Sequence, residues 1–293
     1  MGRTLVFALA VACVAPSLFA CTQSVRRAAL VPHQQPIRRT GQPMGDNKAE
    51  LAFGSPTVGE LGSPVEAAGA NAGIVLPRWQ FDGALRIQTS PNFDIGFVFD
   101  YGLDKGSEGI NTDQPDPDNG DVIGAGVSTQ YSIKLDDKFQ LGLAAEFLIY
   151  SIPYVEYRTC VSNCLGLQFT TIQKDRDSIP VVSFGIIPSW KPSDHNIVLF
   201  AGFNVRNHPT IEKGDVEIGP DLFDEDVEPG PSNVVVTAGI EFSFSNGVRG
   251  MAYIYQEVVR DPVVYRPTLG LAISIPLAKM PPPIPQPPSP VYY

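Results

Sequence analysis

The chain has 293 residues, enough for one large all-β domain or two smaller domains. Its formal net charge of −10 at pH 7 argues against nucleic acid as a partner. A mean hydropathy of +0.01 suits a soluble protein, but it equally suits a membrane barrel, whose strands alternate polar and apolar residues and so average out.

Residues 1–20 carry a single charged residue, Arg3, ahead of a short apolar stretch. This pattern predicts a secretory signal peptide rather than a membrane-spanning helix. The stretch ends in Leu18-Phe19-Ala20-Cys21, which resembles the lipobox of bacterial lipoproteins, although Phe19 stands where a smaller residue is usual. The resemblance implies that Cys21 is acylated and becomes the first mature residue. Cleavage after Ala20 without a lipid is the alternative.

Residues 21–48 form a basic segment that follows the signal. Its charges are one acid, Asp46, against the five bases Arg26, Arg27, Arg38, Arg39 and Lys48. If Cys21 is anchored in a membrane, such a segment lies close to the anionic lipid surface. We therefore predict a lipid-anchored basic linker, with a solvated tether as the alternative.

Residues 49–278 show period-two alternation of apolar and polar side chains over long stretches, which predicts β-strands. In the stretch 93–102, for example, aromatic and branched residues occupy every second position and need an apolar partner. In a β-sandwich that partner is a second sheet, and in a membrane barrel it is lipid. No uncharged run in this region reaches the length of a helical span.

The connections between these strands alternate in length. Short turns are predicted at 90–92, 136–138, 192–195 and 246–247, where Asn246-Gly247 is a strong hairpin signal. Long polar loops are predicted at 56–73, 103–120, 153–177 and 207–232, with a moderate one at 258–264.

This organisation resembles that of bacterial outer-membrane β-barrel proteins, which have short periplasmic turns and long external loops. The fold class expected is all-β, an antiparallel up-and-down transmembrane barrel of about ten strands over residues 49–278. An even strand number implies that both chain ends lie in the periplasm, so the amino terminus would be anchored in the outer membrane from the periplasmic side. A soluble periplasmic β-sandwich or lipocalin-like barrel is the alternative.

Two further segments have simple interpretations. Cys160 and Cys164 lie in a secreted and therefore oxidising context, which predicts a disulfide. Residues 279–293 are rich in proline, which cannot join a sheet, and they are predicted to form a periplasmic tail.

The alternation also predicts which charges face the barrel interior. The inward carboxylates are Asp82, Asp94, Asp100, Glu146 and Glu241, and the inward bases are Arg86 and Lys134. If the hairpin turn centres on Pro91, Asp82 and Asp100 face each other, which is unfavourable without water, a cation, a proton or a nearby Arg86. Five carboxylates cannot all pair with two bases. We therefore expect a partly wet, narrow, cation-preferring lumen.

Signals for catalysis and for cofactors are weak. The sequence lacks the usual hydrolase, metalloprotease and nucleotide-binding motifs, so no enzyme activity, no catalytic residue and no cofactor are predicted. Ten strands is also the size of the omptin surface proteases, but His208 lacks the aspartate that this family has two residues earlier. The acidic loop with Asp113, Asp116, Asp118 and Asp121 is a weak candidate for metal binding.

The predicted function is a structural, narrow-channel or surface-interaction role in the outer membrane. The alternatives are an adhesin that binds through its surface loops, an omptin-like surface hydrolase, and the soluble sandwich. Outer-membrane lipid is the expected partner, together with divalent cations or lipopolysaccharide at the acidic loops around 113–121 and 207–232.

Overall fold

The computed structural model describes residues 22–33, 35–45, 47–56, 74–75, 77, 79–103, 120–162, 169–192, 196–213, 225–258 and 267–279. The regular elements in these ranges are β1 (Thr22–Leu30), β2 (Asn47–Pro56), β3 (Ile74–Val75), β4 (Trp79–Ser90), β5 (Phe93–Leu103), β6 (Val122–Lys134), β7 (Phe139–Ser162), β8 (Phe169–Trp190), β9 (Ile197–Lys213), β10 (Glu225–Ser243), β11 (Arg249–Val258) and β12 (Thr268–Lys279). In this part of the chain, no helix is long and apolar enough to cross a bilayer.

The strands form one sheet that closes on itself. Its order is β3-β1-β7-β6-β5-β4-β2-β12-β11-β10-β9-β8, and the additional pairing of β7 with β8 closes it. Within the described residues, ten strands (β2 and β4 to β12) form an antiparallel barrel. Closure leaves the barrel wall without an open edge, as a membrane-spanning sheet requires. The predicted ten-stranded outer-membrane barrel is confirmed.

The outer face of the barrel is apolar because the strand period places every second side chain there. Phe97 is 62% exposed and Phe184 61% exposed, whereas the alternate position Asp100 is 5% exposed. Such exposure of large apolar side chains is unfavourable in water but matches the hydrocarbon of a bilayer. The apolar partner of the alternating strands is therefore lipid.

The short connections lie where the sequence predicts them. Strands β4 and β5 are joined across residues 91–92, and β6 and β7 across 135–138. Beside the second of these turns, the rings of Phe139 and Trp190 stack with centroids 6.1 Å apart, as an aromatic girdle would. Gly247 takes a positive φ of 87°, the conformation that favours glycine in a hairpin turn.

Two of the predicted long loops are instead largely strand. Strand β7 runs to Ser162 and β8 starts at Phe169, so the hairpin continues through most of 153–177. Strand β9 runs to Lys213 and β10 starts at Glu225, so both ends of 207–232 also belong to a paired hairpin. Proline is uncommon inside sheets because it cannot donate to the strand ladder. The structure accommodates one proline-containing stretch with a register shift between Pro229 and Ser232.

Candidate functional site

The barrel interior is filled by the chain's own amino-terminal region. The described residues 31–33 and 35–45 lie between β1 and β2 and pass through the lumen; we call the stretch 31–45 the plug segment. Val31 is 0%, Ile37 2%, Arg39 3% and Met44 6% exposed, so this stretch is as buried as a protein core. The sequence suggests a linker or tether over 21–48, whereas in the structure the described residues of the plug segment pack inside the barrel.

The loop end of the lumen is closed by apolar contacts. Ala29, Leu30 and Val31 are fully buried there. The cluster that surrounds them consists of Val122, Leu148, Tyr150, Ile152, Tyr154, Ile179 and Val181. We call this set, with Ala29 to Val31, the apolar seal. Next along the plug segment, the His33 backbone N–H donates to Gln80 Oε1 over 2.7 Å, and His33 Nε2 lies 2.8 Å from the carbonyl oxygen of Pro77.

In the middle of the lumen, the two facing carboxylates of Asp82 and Asp100 have different partners. The two residues are register partners on β4 and β5, as the turn position predicts. The Arg38 guanidinium forms an ion pair with Asp82. Asp100 Oδ2 accepts hydrogen bonds from Gln80 Nε2 over 2.6 Å and from the Tyr150 hydroxyl over 2.7 Å. The plug segment thus supplies the positive charge that keeps the two acids from repelling each other.

Arg206 links this level to the plug backbone. Its Nη2 donates to the Tyr150 hydroxyl over 2.8 Å, and its Nη1 donates to the Gln35 carbonyl over 3.1 Å. The Arg206 guanidinium carbon also lies 5.9 Å from the centroid of the Tyr150 ring. One buried base therefore holds a wall side chain and the plug main chain together.

Toward the turn end, the interior becomes a network of ion pairs around Glu50. Glu50 is 0% exposed and accepts a hydrogen bond from Arg86 Nη1 over 3.0 Å and another from Arg249 Nη2. Arg249 Nη1 also lies 3.7 Å from Glu241 Oε2. Arg86 Nη2 donates to the Arg38 carbonyl over 2.9 Å, which ties the plug main chain to this network.

A second ion pair joins the plug segment to the same half of the lumen. Arg39 pairs with Asp94, and its Nη2 donates to Ser128 Oγ over 2.8 Å. These contacts, with those of Glu50, form what we call the charged network: Arg39, Glu50, Arg86, Asp94, Glu241 and Arg249. Because such charges are costly to bury unpaired, each one fixes the position of its partner.

The last part of the plug segment fits closely against the wall. The Gly41 N–H donates to Ser189 Oγ over 2.6 Å, and Gln130 Nε2 donates to the Thr40 carbonyl over 2.9 Å. A Cβ on Gly142 would lie 2.8 Å from the Gly41 Cα, so any larger wall residue there would displace the plug. The small wall residue Gly142 therefore makes room for the plug segment.

Little free space remains. The larger cavity holds about 50 Å³ beside Arg38, Asp82 and Asp100, and a smaller one about 10 Å³ beside Glu50 and Arg86. A water molecule needs roughly 10–15 Å³ on this measure, so these spaces suit a few waters or a bare ion. Among the described residues, neither of these two cavities has room for a nutrient-sized solute.

The predicted lumen residues have different positions. Asp82, Asp94, Asp100 and Glu241 are buried in the interior, and Arg86 and Glu146 line the larger cavity. Lys134 instead lies at the turn end, where its Nζ is 2.8 Å from Asp137 Oδ1 and its side chain is 62% exposed. The hydrogen bond from Lys134 lowers the pKa of the Asp137 carboxyl below its usual value.

Several important residues were not predicted. Arg206 and Arg249 follow the inward alternation of their strands, so this pattern could have revealed them. Arg38 and Arg39 carry no local signal, because their role depends on a segment that enters the barrel from outside its own strands. The predicted count of two inward bases therefore omitted Arg206 and Arg249 on the strands as well as both plug arginines.

The remaining predicted sites are only partly visible. Cys21, Cys164, Asp113, Asp116 and Asp118 lie outside the described residues. Cys160 is a β7 residue that pairs with Gln23, and His208 is a β9 residue. Asp121 accepts a hydrogen bond from the Tyr101 hydroxyl. Among the described residues, no group of three or more histidine, cysteine or acidic side chains could hold a metal ion.

Neither a protein-family model nor a curated protein sequence matches the chain. In fold, the chain is similar to solved bacterial barrels. The beta domain of the Bordetella autotransporter BrkA matches with a TM-score of 0.41 and 10% identity, over 78% of this chain and 98% of that one. An outer membrane channel from Pseudomonas putida F1 matches with a TM-score of 0.41 and 9% identity, over 83% and 99%. The outer membrane protease OmpT from Escherichia coli matches with a TM-score of 0.34 and 8% identity, over 78% and 91%.

Proposed function

We propose that this protein is a non-enzymatic outer-membrane barrel that its own plug segment keeps closed, and that conducts small cations only when this segment moves. The observation that carries the proposal is the filled lumen. The described residues of the plug segment run from the loop end of the lumen to its turn end, and the two cavities beside them, of about 50 and 10 Å³, are too small for nutrients. A structural role in the envelope is compatible with this closed state.

The preference for cations follows from the charge of the wall without the plug. The described inward wall carries the carboxylates of Glu50, Asp82, Asp94, Asp100, Glu146, Glu241 and Glu257 against the guanidiniums of Arg86, Arg206 and Arg249. The plug segment adds Arg38 and Arg39. When it leaves, the excess of carboxylates grows, and acidic pore linings favour cations.

A surface-interaction role is the second candidate. The hairpin of β7 and β8 continues past Ser151, where β7 ends its pairing with β6, to the pair Thr159 and Phe169. The hairpin of β9 and β10 likewise extends to the pair Lys213 and Glu225. Rigid strands that project from a barrel suit contact with another molecule better than mobile loops do. Divalent cations or lipopolysaccharide at the acidic loops remain predictions.

Planar-bilayer recordings test the closed-lumen proposal. We expect the full chain to stay closed apart from brief small steps. A variant that lacks residues 22–45 should show steady, cation-selective steps, because the wall keeps its own strand pairing. Asp82→Asn with Asp100→Asn in that variant should weaken the selectivity.

A full-length double variant, Arg38→Ser with Arg39→Ser, covers the case in which the deletion fails to fold. It should raise the frequency of opening, because Asp82 and Asp94 lose their partners in the plug. The matched control, Lys48→Ser with Lys138→Ser, removes two exposed cations outside the lumen and should leave the recordings unchanged. Steady large steps from the full chain, or a deletion variant as silent as the full chain, would contradict the proposal.

A further inference from the structure

The position of β1 has a consequence for the side of the membrane on which the amino-terminal end lies. Strand β1 pairs antiparallel with the outer part of β7, from Ala29 opposite Tyr154 to Thr22 opposite Ser162. The membrane-spanning part of β7 pairs with β6 only as far as Ser151, opposite Ile123. Thr22 therefore lies about 35 Å along β7 beyond the end of that pairing.

The contacts of the plug segment run in one direction from this point. His33 contacts Pro77 and Gln80, at the loop end of β4. Gly41 contacts Ser189, at the turn end of β8. After Met44 the chain enters β2, which starts opposite Lys279 and returns toward the loop end, where Pro56 pairs with Gly270. The chain thus crosses the barrel twice, first inside the lumen and then as a wall strand.

The alternative course, with both ends of this region at the turn end, does not fit these contacts. It would require the plug segment to turn back inside the lumen, with residues near Ala29 beside those near Met44. Ala29 and Leu30 instead pair in parallel with Ile74 and Val75 while Ala29 faces Tyr154, all at the loop end.

We propose that the barrel is the passage through which its own amino-terminal strand reaches the outer surface. Thr22, and whatever precedes it in the mature chain, then lies outside the membrane, where β1 extends the β7–β8 hairpin by pairing with β7. The loop end is the external end of such barrels. This inference goes beyond the closed lumen, since a plug could close the barrel with either orientation.

With this path of the chain, lipid on Cys21 would lie on the other side of the outer membrane from the one that the sequence predicts. Anchoring from the periplasmic side would need Cys21 at the turn end, but its neighbour Thr22 is separated from that end by the barrel's whole height and the outer part of β7. The hydrocarbon alone is roughly 25–30 Å thick. An acyl group on Cys21 would therefore lie on the external side while the plug segment is in place.

Epitope tags on intact cells test the sidedness. One tag is inserted between Thr22 and Gln23, where the β1 register already shifts, and the control tag is inserted after Asp137 in the β6–β7 turn. We expect antibody to reach the first tag on intact cells and the control tag only after the outer membrane is permeabilised. An amino-terminal tag that also needs permeabilisation would overturn the proposal.

Paired cysteines test the contact itself, in full-length protein with Cys160→Ser and Cys164→Ser. Ala29→Cys with Tyr154→Cys places two thiols at facing positions, within reach of a disulfide. Ala29→Cys with Gln140→Cys, at the turn end of the same strand, is the matched control and should not crosslink. Absence of the first crosslink, or crosslinking of the control pair, would overturn the proposed path. The bilayer recordings are independent of both tests, so failure here would leave the closed lumen standing.

Discussion

The two halves of the lumen hold the plug segment by different physical means. At the loop end, the apolar seal surrounds Leu30 with side chains such as Ile152 and Val181, all three 0% exposed. Toward the turn end, the charged network surrounds Arg39 and Glu50 with paired acids and bases. Apolar contact is non-directional and scales with buried area, whereas ion pairs require one particular geometry. The seal excludes water, and the network determines the register of the plug.

The charged network and the apolar seal also differ in how far they connect wall strands with one another. Arg39 is a plug residue, but Glu50, Arg86 and Arg249 belong to β2, β4 and β11 and connect wall strands across the interior. In the seal, Leu30 is the last residue of β1, directly before the plug segment, and it packs on an apolar surface that the wall already presents. Disturbing the wall residues of the network, such as Glu50, should therefore destabilise the barrel, whereas disturbing the seal should release the plug.

The largest expected effect comes from Glu50→Gln. This change leaves Arg86 and Arg249 as buried guanidiniums without their shared carboxylate, which costs about 3–5 kcal/mol in comparable buried pairs. The free energy of unfolding, measured by urea denaturation in detergent, should fall by this amount.

Glu146→Gln is the matched control for that substitution. Glu146 lines the larger cavity and is only partly buried, so its loss should be much smaller. In Glu50→Gln, adding Arg249→Gln should recover part of the stability, because one unpaired charge is removed. Equal losses for Glu50→Gln and Glu146→Gln would show that the charged network does not hold the wall.

The next effect is expected from Leu30→Ala in the seal. Truncating a fully buried leucine costs about 2–5 kcal/mol, through lost transfer energy and the cavity left behind. Because the wall strands keep their hydrogen bonds without Leu30, this cost should fall on plug docking. More frequent channel opening, with nearly unchanged urea denaturation, is the expected result.

Leu143→Ala is the control for the seal variant, since Leu143 is 41% exposed on the lipid face. It should leave channel opening unchanged. If Leu30→Ala shifted the denaturation midpoint as strongly as Glu50→Gln, the proposed division between seal and network would not hold.

The smallest effect is expected at the exposed pair of Lys134 and Asp137, which lies outside both halves of the lumen. The hydrogen bond from Lys134 lowers the pKa of Asp137. Any contribution of this pair to stability is therefore present above the usual carboxyl pKa, and it is lost as the pH falls through the lowered pKa of Asp137. Because water screens the pair, Lys134→Ala should leave the melting temperature unchanged at every pH. In the Lys134→Ala variant, NMR titration should show a higher pKa for Asp137 than in the unmodified protein. An unchanged pKa would contradict the pairing.

Much of the wall could be predicted from sequence because its determinants are local. Period-two alternation indicates which side chains of β5 face lipid, and the turn at Pro91 brings Asp82 opposite Asp100. Closely spaced turn residues also determine the lengths of the short connections. Strand extension through 153–162 could not be predicted from near neighbours alone, because one of the two strands that pair with it, β1, lies more than a hundred residues earlier.

By itself, the sequence determined a ten-stranded barrel with an apolar exterior and an acidic wall, since alternation and turn chemistry act between near neighbours. Only the tertiary structure decided which residues fill the interior of the barrel. From the sequence, Arg38 and Arg39 are predicted to belong to a basic tether. In the folded protein they lie inside the barrel and form ion pairs with Asp82 and Asp94. Buried carboxylates are costly unless they are paired. The sequence of their own strands does not show which distant part of the chain supplies the paired bases.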